Sequence, residues 1–138
     1  MLMVDLILDI DANFVETIFL IKEDNIFVYK NIFTEAGLIE NTAQTCSSIV
    51  GKKYFFDEAG TENENISVIG FISALKNVKI YALPKVGNSI TTKATLVSKF
   101  VSDDYTLCTM SCESLVEEQL LLECEINLFI QKTISAVK

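Results

Sequence analysis

The spacing of apolar and polar positions predicts one helix in a chain otherwise composed of strands. Between residues 35 and 50, apolar side chains recur every three or four positions, as on one face of a helix. This stripe consists of Ile39, Ala43, Cys46 and Val50, widened by Leu38, Thr42 and Ile49. Thr34 suits the N-cap and Glu35 the first turn. We expect Gly51, which is followed by two lysines, to end the helix.

Apolar runs bounded by turn residues predict the strands. They are expected at residues 2–10, 14–21, 26–29, 68–83, 90–101, 105–116 and 120–131. Pro84 and Gly87 suit a turn between two of these runs, and the acidic stretch 56–65 suits a surface loop. One helix among antiparallel strands predicts an α+β fold, and 138 residues suit a single domain spanning residues 1–138.

The charge and hydropathy of the chain exclude several functional classes. A net charge of −8 argues against binding to nucleic acid, whose phosphates would be repelled. All 11 basic residues are lysines, so no planar guanidinium is present for bidentate contacts. No apolar run is long enough to span a membrane, and the first residues lack the features of a secretory signal. We therefore expect a cytoplasmic protein.

The cysteines predict buried thiols and not a metal site. Cys46, Cys108, Cys112 and Cys124 fall within predicted helix and strands, at spacings that match neither zinc knuckles nor a small disulfide framework. The sequence contains no histidine, so a zinc site would need thiolates and carboxylates alone. No metal and no cofactor are implied.

A second stripe on the predicted helix is polar and consists of Glu40, Gln44 and Ser47. Such a stripe is most simply a face turned to water. However, the segment Gly-Leu-Ile-Glu-Asn-Thr-Ala-Gln-Thr at residues 37–45 resembles the helix-opening motif of bacterial 3-hydroxyacyl-acyl carrier protein dehydratases. In that hot-dog family, a glutamate followed four residues later by a glutamine lies on a long central helix wrapped by a curled antiparallel sheet.

The resemblance covers nearly the whole chain and implies a site for acyl thioesters. It implies that Glu40 is catalytic and that Gly37, Gln44 and Gly70 bind substrate in a tunnel between two subunits. Backbone N–H groups at the helix start would polarise the thioester carbonyl. Plainer roles remain open, because Gly37 also suits an unhindered helix start and Gly70 a bend in a long strand. The implied partners are an acyl carrier protein or acyl-CoA thioester and a second hot-dog chain, in a homodimer or heterodimer.

The chain departs from the family where the catalytic histidine is expected. The family's Gly-His-Phe-Pro-Gly segment should lie between Asn25 and Gly37, where this chain is shorter and has neither histidine nor proline. Without an imidazole, abstraction of the α-proton lacks its usual base. Three functions are left open: an auxiliary thioester-binding subunit, a dehydratase in which Glu40 acts alone or with a partner's histidine, and a thioesterase.

Lysines are concentrated in one part of the chain. Residues 66–101 contain no acidic residue but five lysines: Lys76, Lys79, Lys85, Lys93 and Lys99. If they act together, Lys76, Lys79 and Lys85 are candidates for docking an acidic carrier protein. The alternative is that these lysines solvate exposed strand faces and protect sheet edges.

Overall fold

A computed structural model describes residues 2–55 and 66–134. Eight strands and one helix follow in order along this part of the chain. They are β1 (Leu6–Ile10), β2 (Phe14–Leu20), β3 (Val28–Tyr29), β4 (Ile32–Phe33), α1 (Glu35–Phe55), β5 (Ile66–Ile80), β6 (Ser89–Val101), β7 (Tyr105–Val116) and β8 (Gln119–Ile134). The predicted α+β class is confirmed. The loop expected at residues 56–65 lies outside the described residues.

Six strands form one antiparallel sheet in the order β1-β2-β6-β7-β8-β5. Strands β3 and β4 form a separate small hairpin. Its two turn residues, Lys30 and Asn31, have φ angles of 49° and 70°, as a two-residue primed turn requires. This hairpin occupies the segment where the dehydratase family would carry its histidine. The turn predicted at Pro84 to Asn88 is confirmed, with Gly87 at φ 94°.

Helix α1 packs on one face of the sheet, against β2, β5, β6, β7 and β8. Its buried side chains recur at helical spacing and are Leu38, Asn41, Thr42, Thr45, Cys46 and Ile49. On β8, the alternation is as predicted, with five buried residues from Leu122 to Ile130 separated by partly exposed ones such as Glu123 and Glu125. Packing between these two periodic surfaces creates the core.

Several predicted boundaries are wrong. Gly51 does not end α1, which continues to Phe55, so the preference of glycine for a helix end is overridden here. The first strand begins at Leu6 and not at residue 2, because the backbone of Met3 is hydrogen-bonded to side chains of the helix. In addition, the predicted strand at 26–29 is reduced to the two residues of β3.

Candidate functional site

The start of α1 is fixed by the hairpin that precedes it. Thr34 accepts the first helical hydrogen bond, from the N–H of Leu38 to its carbonyl at 3.1 Å. Gly37 is buried against this hairpin, where an added Cβ would lie 2.6 Å from Cζ of Phe33 and 2.8 Å from Cβ of Phe27. Close packing of two aromatic residues therefore accounts for glycine at this position. A role in binding substrate stays a prediction.

Glu40 and Gln44 lie one helical turn apart on the side of α1 that the sheet does not cover. Both side chains are partly exposed, and Ala36 and Ser47 on this side are exposed. The side-chain carbonyl of Gln44 accepts a hydrogen bond from the N–H of Met3 at 2.6 Å. Gln44 thus ties the N-terminal segment to the helix. Because Ala36, Glu40 and Ser47 remain at least partly exposed, the expected enclosure of the helix is incomplete within one chain.

A buried polar layer joins the helix to the sheet. The Asn41 amide donates to the Met3 carbonyl at 2.7 Å, and the Thr92 hydroxyl donates to the Asn41 carbonyl oxygen at 2.5 Å. The Thr92 hydroxyl also lies 3.0 Å from that of Ser114. All three side chains are fully buried. The sequence alone did not predict this layer. Its one indication was Asn41, which lies within the motif at residues 37–45.

A second contact of the same kind lies one turn further along the helix. The hydroxyls of Thr17 and Thr45 are 2.8 Å apart, and Thr45 also donates to the carbonyl of Asn41 at 2.9 Å. Both threonines are fully buried. Among the described residues, every buried side-chain nitrogen or oxygen has a partner, so the layer is internally satisfied. This arrangement stabilises one position of α1 on the sheet.

An apolar cleft of about 420 Å³ lies beside Gln44. It is lined by residues 2 and 4–7 of the N-terminal segment and by Gln44 and Ser48 of the helix. Leu2 and Leu6 are 78% and 58% exposed. Asp5 is the one charged lining residue, and its carboxylate accepts the N–H of Leu20 at 2.7 Å. The lining of the cleft is therefore mainly aliphatic, and the side chains of Asp5 and Gln44 accept hydrogen bonds from the protein backbone.

Gly70 lies on β5, the last strand of the sheet, opposite Ile130 of β8. The outer edge of β5 has no neighbouring strand within the described sheet. Apolar side chains on this strand are exposed, among them Phe71, Ile72 and Leu75. The structure therefore places Gly70 at an apolar sheet edge and not beside Gln44 in one pocket of the single chain.

Two of the three candidate docking lysines lie opposite acidic residues. The strand register places Lys79 opposite Glu123 and Lys76 opposite Glu125, both on β8. Lys85 lies beyond the end of β5, in the turn before β6. Lys76 and Lys79 belong to a stretch of sequence without acidic residues, but in the fold each has a glutamate of β8 opposite it.

The same register continues across the face of the sheet opposite the helix. Lys93 lies opposite Glu113, which lies opposite Glu123. These residues line a polar trough of about 510 Å³ that also includes Lys79. Glu123 of this trough accepts a hydrogen bond from the Tyr81 hydroxyl at 2.5 Å. This hydrogen bond is the main cause that raises the pKa of Tyr81 above its ordinary value of 10.0. The mixed charges of the trough suit a solvated sheet face.

All four cysteines are buried, and Cys46, Cys112 and Cys124 keep free thiols. The Sγ atoms of Cys46 and Cys112 are 3.3 Å apart, and Cys124 lies opposite Cys112 in the register. The hydrogen bond from Cys112, followed by burial, raises the pKa of Cys124. A raised pKa leaves little thiolate at Cys124. Burial and mutual contact make Cys46, Cys112 and Cys124 packing residues of the core. The described residues contain no group of three or more side chains placed to bind a metal ion.

No protein-family profile and no curated protein sequence matches this chain. Solved structures do match. The dehydratase heterocomplex ApeI:P from Xenorhabdus doucetiae is similar with a TM-score of 0.73 at 12% identity, covering 93% of this chain and 82% of that one. A hypothetical thioesterase with coenzyme A from Streptococcus pneumoniae is similar with a TM-score of 0.69 at 12% identity, covering 94% and 88%. This chain has the hot-dog fold.

The fold alone does not decide the activity. A sigma28-regulated virulence protein from Campylobacter jejuni is similar over 99% of this chain and 86% of its own, with a TM-score of 0.67 and 14% identity. Structures with such different descriptions share the hot-dog fold, so function must be argued from the site. No helix within the described residues is long and apolar enough to cross a membrane.

Proposed function

We propose that this chain is an acyl-thioester-binding hot-dog subunit whose Glu40 acts with a group from a second chain. The observation that carries the proposal is the position of Glu40 on the uncovered side of α1, in a chain that has no histidine to accompany it. Support comes from the similarity of the fold to a dehydratase heterocomplex and to a hypothetical thioesterase with coenzyme A. We also propose that the sheet curls around the helix, as the sequence resemblance implies.

Dehydration of a 3-hydroxyacyl thioester requires two proton transfers. A base takes the α-proton, and an acid protonates the 3-hydroxyl group, which leaves as water and yields a 2-enoyl thioester. We assign the acid to Glu40 and the base to the second chain. The proton then returns from the base to Glu40 through solvent. The N–H groups of the first helical turn, including that of Gly37, would stabilise the charge on the thioester oxygen.

The second chain is proposed to pair with the edge of β5. This strand has 15 residues, against five in β1 at the opposite edge, so it offers many more unpaired backbone groups. Its exposed apolar residues, including Phe71 and Leu75, would be covered by the pairing. A two-fold arrangement would join two sheets and cover the β5 edge of each, while the short β1 edges stay open. The partner is a second copy of this chain or a different hot-dog chain.

Activity measurements test the assignment of Glu40. We expect the chain alone to dehydrate a 3-hydroxyacyl thioester about 10²–10⁴-fold more slowly than its mixture with a histidine-bearing hot-dog chain, because a general base is missing. Glu40→Gln in the mixture should abolish the gain. Glu35→Gln is the matched control, since Glu35 is exposed on the same helix. Full activity of the chain alone, or a mixture unaffected by Glu40→Gln, would contradict the proposal.

A thioesterase is the second candidate, and the similarity to the Streptococcus pneumoniae protein with coenzyme A favours it. In that reaction, Glu40 would take a proton from water, and the hydroxide would add to the thioester carbonyl and expel the thiol. The same assay separates the two reactions by their products. Dehydration yields an enoyl thioester and water, whereas hydrolysis yields a carboxylic acid and a free thiol.

Carrier docking is proposed for Lys76, Lys79 and Lys85. Substitution of these lysines by glutamine removes positive charge without adding like charges opposite Glu123 and Glu125. If they dock an acidic carrier, the triple variant should lose carrier binding and keep binding to acyl-CoA. Binding should also weaken as salt rises, since the Debye length falls from about 10 Å at 0.1 M to about 3 Å at 1 M. Unchanged carrier binding would leave the lysines as solvating residues.

A further inference from the structure

The cleft beside Gln44 continues a line of side chains that begins at Glu40. Glu40, Gln44 and Ser48 are spaced four residues apart, so they form one ridge along α1. Gln44 and Ser48 line the cleft, and Glu40 lies one turn, about 6 Å, before Gln44 on the ridge. A linear ligand lying along this ridge would therefore have one end at Glu40 and the other in the cleft.

The chemistry of the lining selects the kind of ligand. The N-terminal side contributes leucine, valine and isoleucine side chains, which suit an aliphatic chain. The lining holds one carboxylate, that of Asp5, and no cation. Asp5 therefore disfavours a ligand whose charged end enters the cleft, whereas the uncharged end of an aliphatic chain is not repelled there. The cleft has a volume of about 420 Å³ and is open to solvent along Leu2 and Leu6.

We infer that this cleft holds the acyl chain of a thioester and sets the preferred chain length. The inference rests on the proposed function and deepens it, because it places the chain within one subunit and along β1. The tunnel that the sequence resemblance implies lies instead between subunits, near Gly70. The thioester end then lies towards Glu40, and the uncharged end of the acyl chain lies in the cleft.

A tryptophan reporter tests the location directly, because the chain contains no tryptophan. Leu6→Trp places the reporter in the lining, and Leu8→Trp places the same residue on the same strand outside it. Both positions are exposed, at 58% and 48%. Both variants are titrated with an acyl-CoA thioether that carries bromine at the end of the acyl chain. The bromine should quench the tryptophan fluorescence of the Leu6→Trp variant and leave that of the Leu8→Trp variant unchanged.

Affinity as a function of chain length gives a second readout. Each added methylene should tighten binding about fourfold, equivalent to ~0.8 kcal/mol, until the cleft is full. Ser48→Trp should fill the cleft and lower the affinity for long chains at least tenfold, with short chains unaffected. Circular dichroism checks that the Ser48→Trp variant is folded. If it is not, the Leu6→Trp reporter still tests the inference.

The outcomes separate this inference from the proposed function. Calorimetry that detects no acyl-CoA binding to the unmodified chain would overturn the proposed function and this inference with it. Binding without quenching at position 6, or with equal quenching at position 8, would overturn the inference alone. If the tryptophan fluorescence at position 6 changes with protein concentration and not with ligand, a second copy of the chain covers the cleft. That result would also overturn the inference. Equal affinity for an acyl-CoA thioether with a carboxylate at the far end of its chain would refute the exclusion of charge by Asp5.

Discussion

Substitution of Gly37 by alanine distinguishes a packing role from a ligand-binding role at the start of α1. The new Cβ would lie 2.6 Å from Cζ and 2.7 Å from Cε1 of Phe33, and 2.8 Å from Cβ of Phe27. Phe33 is fully buried, so its ring cannot relieve the clash by turning out into solvent. The hairpin or the first turn of the helix must shift instead.

Two opposing effects set the magnitude. Alanine favours a helix over glycine by about 1 kcal/mol at interior positions, and by less in the first turn. Overpacking in a closely packed core destabilises by about 1–3 kcal/mol. We therefore expect Gly37→Ala to lower the free energy of unfolding by about 1–2 kcal/mol, since the clash involves three atoms of two buried or partly buried residues.

Chemical denaturation measures this change, and a second substitution tests its cause. Phe33→Leu shortens the ring side chain that the new Cβ would meet, so Gly37→Ala should destabilise the Phe33→Leu protein less than the unmodified protein. A double-mutant cycle gives that coupling energy. If Gly37→Ala stabilises the protein and only weakens thioester binding, the glycine serves the ligand and the packing argument is refuted.

Three further predictions follow from the geometry. Asn41→Leu should lower the free energy of unfolding by about 2–4 kcal/mol, because it leaves buried polar groups without partners, whereas Ser47→Ala on the open side of the helix should change it little. Absorbance titration should show Tyr81 ionising above its ordinary pKa of 10.0. The native state then keeps a proton that the unfolded state loses, so this contribution to stability is present below pH 10 and lost as pH rises through the raised pKa. Glu123→Gln should return the Tyr81 titration towards 10.0, and no change would contradict the hydrogen bond. Leu75→Lys should convert a dimer to monomers in light scattering, and a stable monomer of the unmodified chain at micromolar concentration would count against pairing along β5.

The sequence predicts the regular elements well where one face of an element is buried and the other is not. Alternation along β8 and the limits of β7 at residues 105–116 are examples. The end of α1 was mispredicted because the local preference of Gly51 does not decide whether a helix continues. The start of β1 was mispredicted because Met3 is held by residues about 40 positions away, at Asn41 and Gln44.

The candidate site was less predictable than the fold, for reasons of sequence distance. Thr92 and Asn41 are separated by 51 residues, and nothing in their local sequence shows that they meet in the core. A threonine in a predicted strand is equally compatible with a buried and with an exposed position. The lysines of residues 66–101 form an acid-free stretch in sequence, but strand pairing places Glu123 and Glu125 opposite two of them. Glu40 and Gln44, by contrast, share one helix, so their proximity follows from spacing alone.

Equilibrium binding of a non-hydrolysable acyl-CoA thioether to the unmodified chain tests the central claim most directly. Calorimetry should show saturable binding that strengthens with acyl chain length, and coenzyme A without an acyl group should bind more weakly. If a folded preparation binds neither acyl-CoA nor an acylated carrier protein at any chain length, the chain is not a thioester-binding subunit.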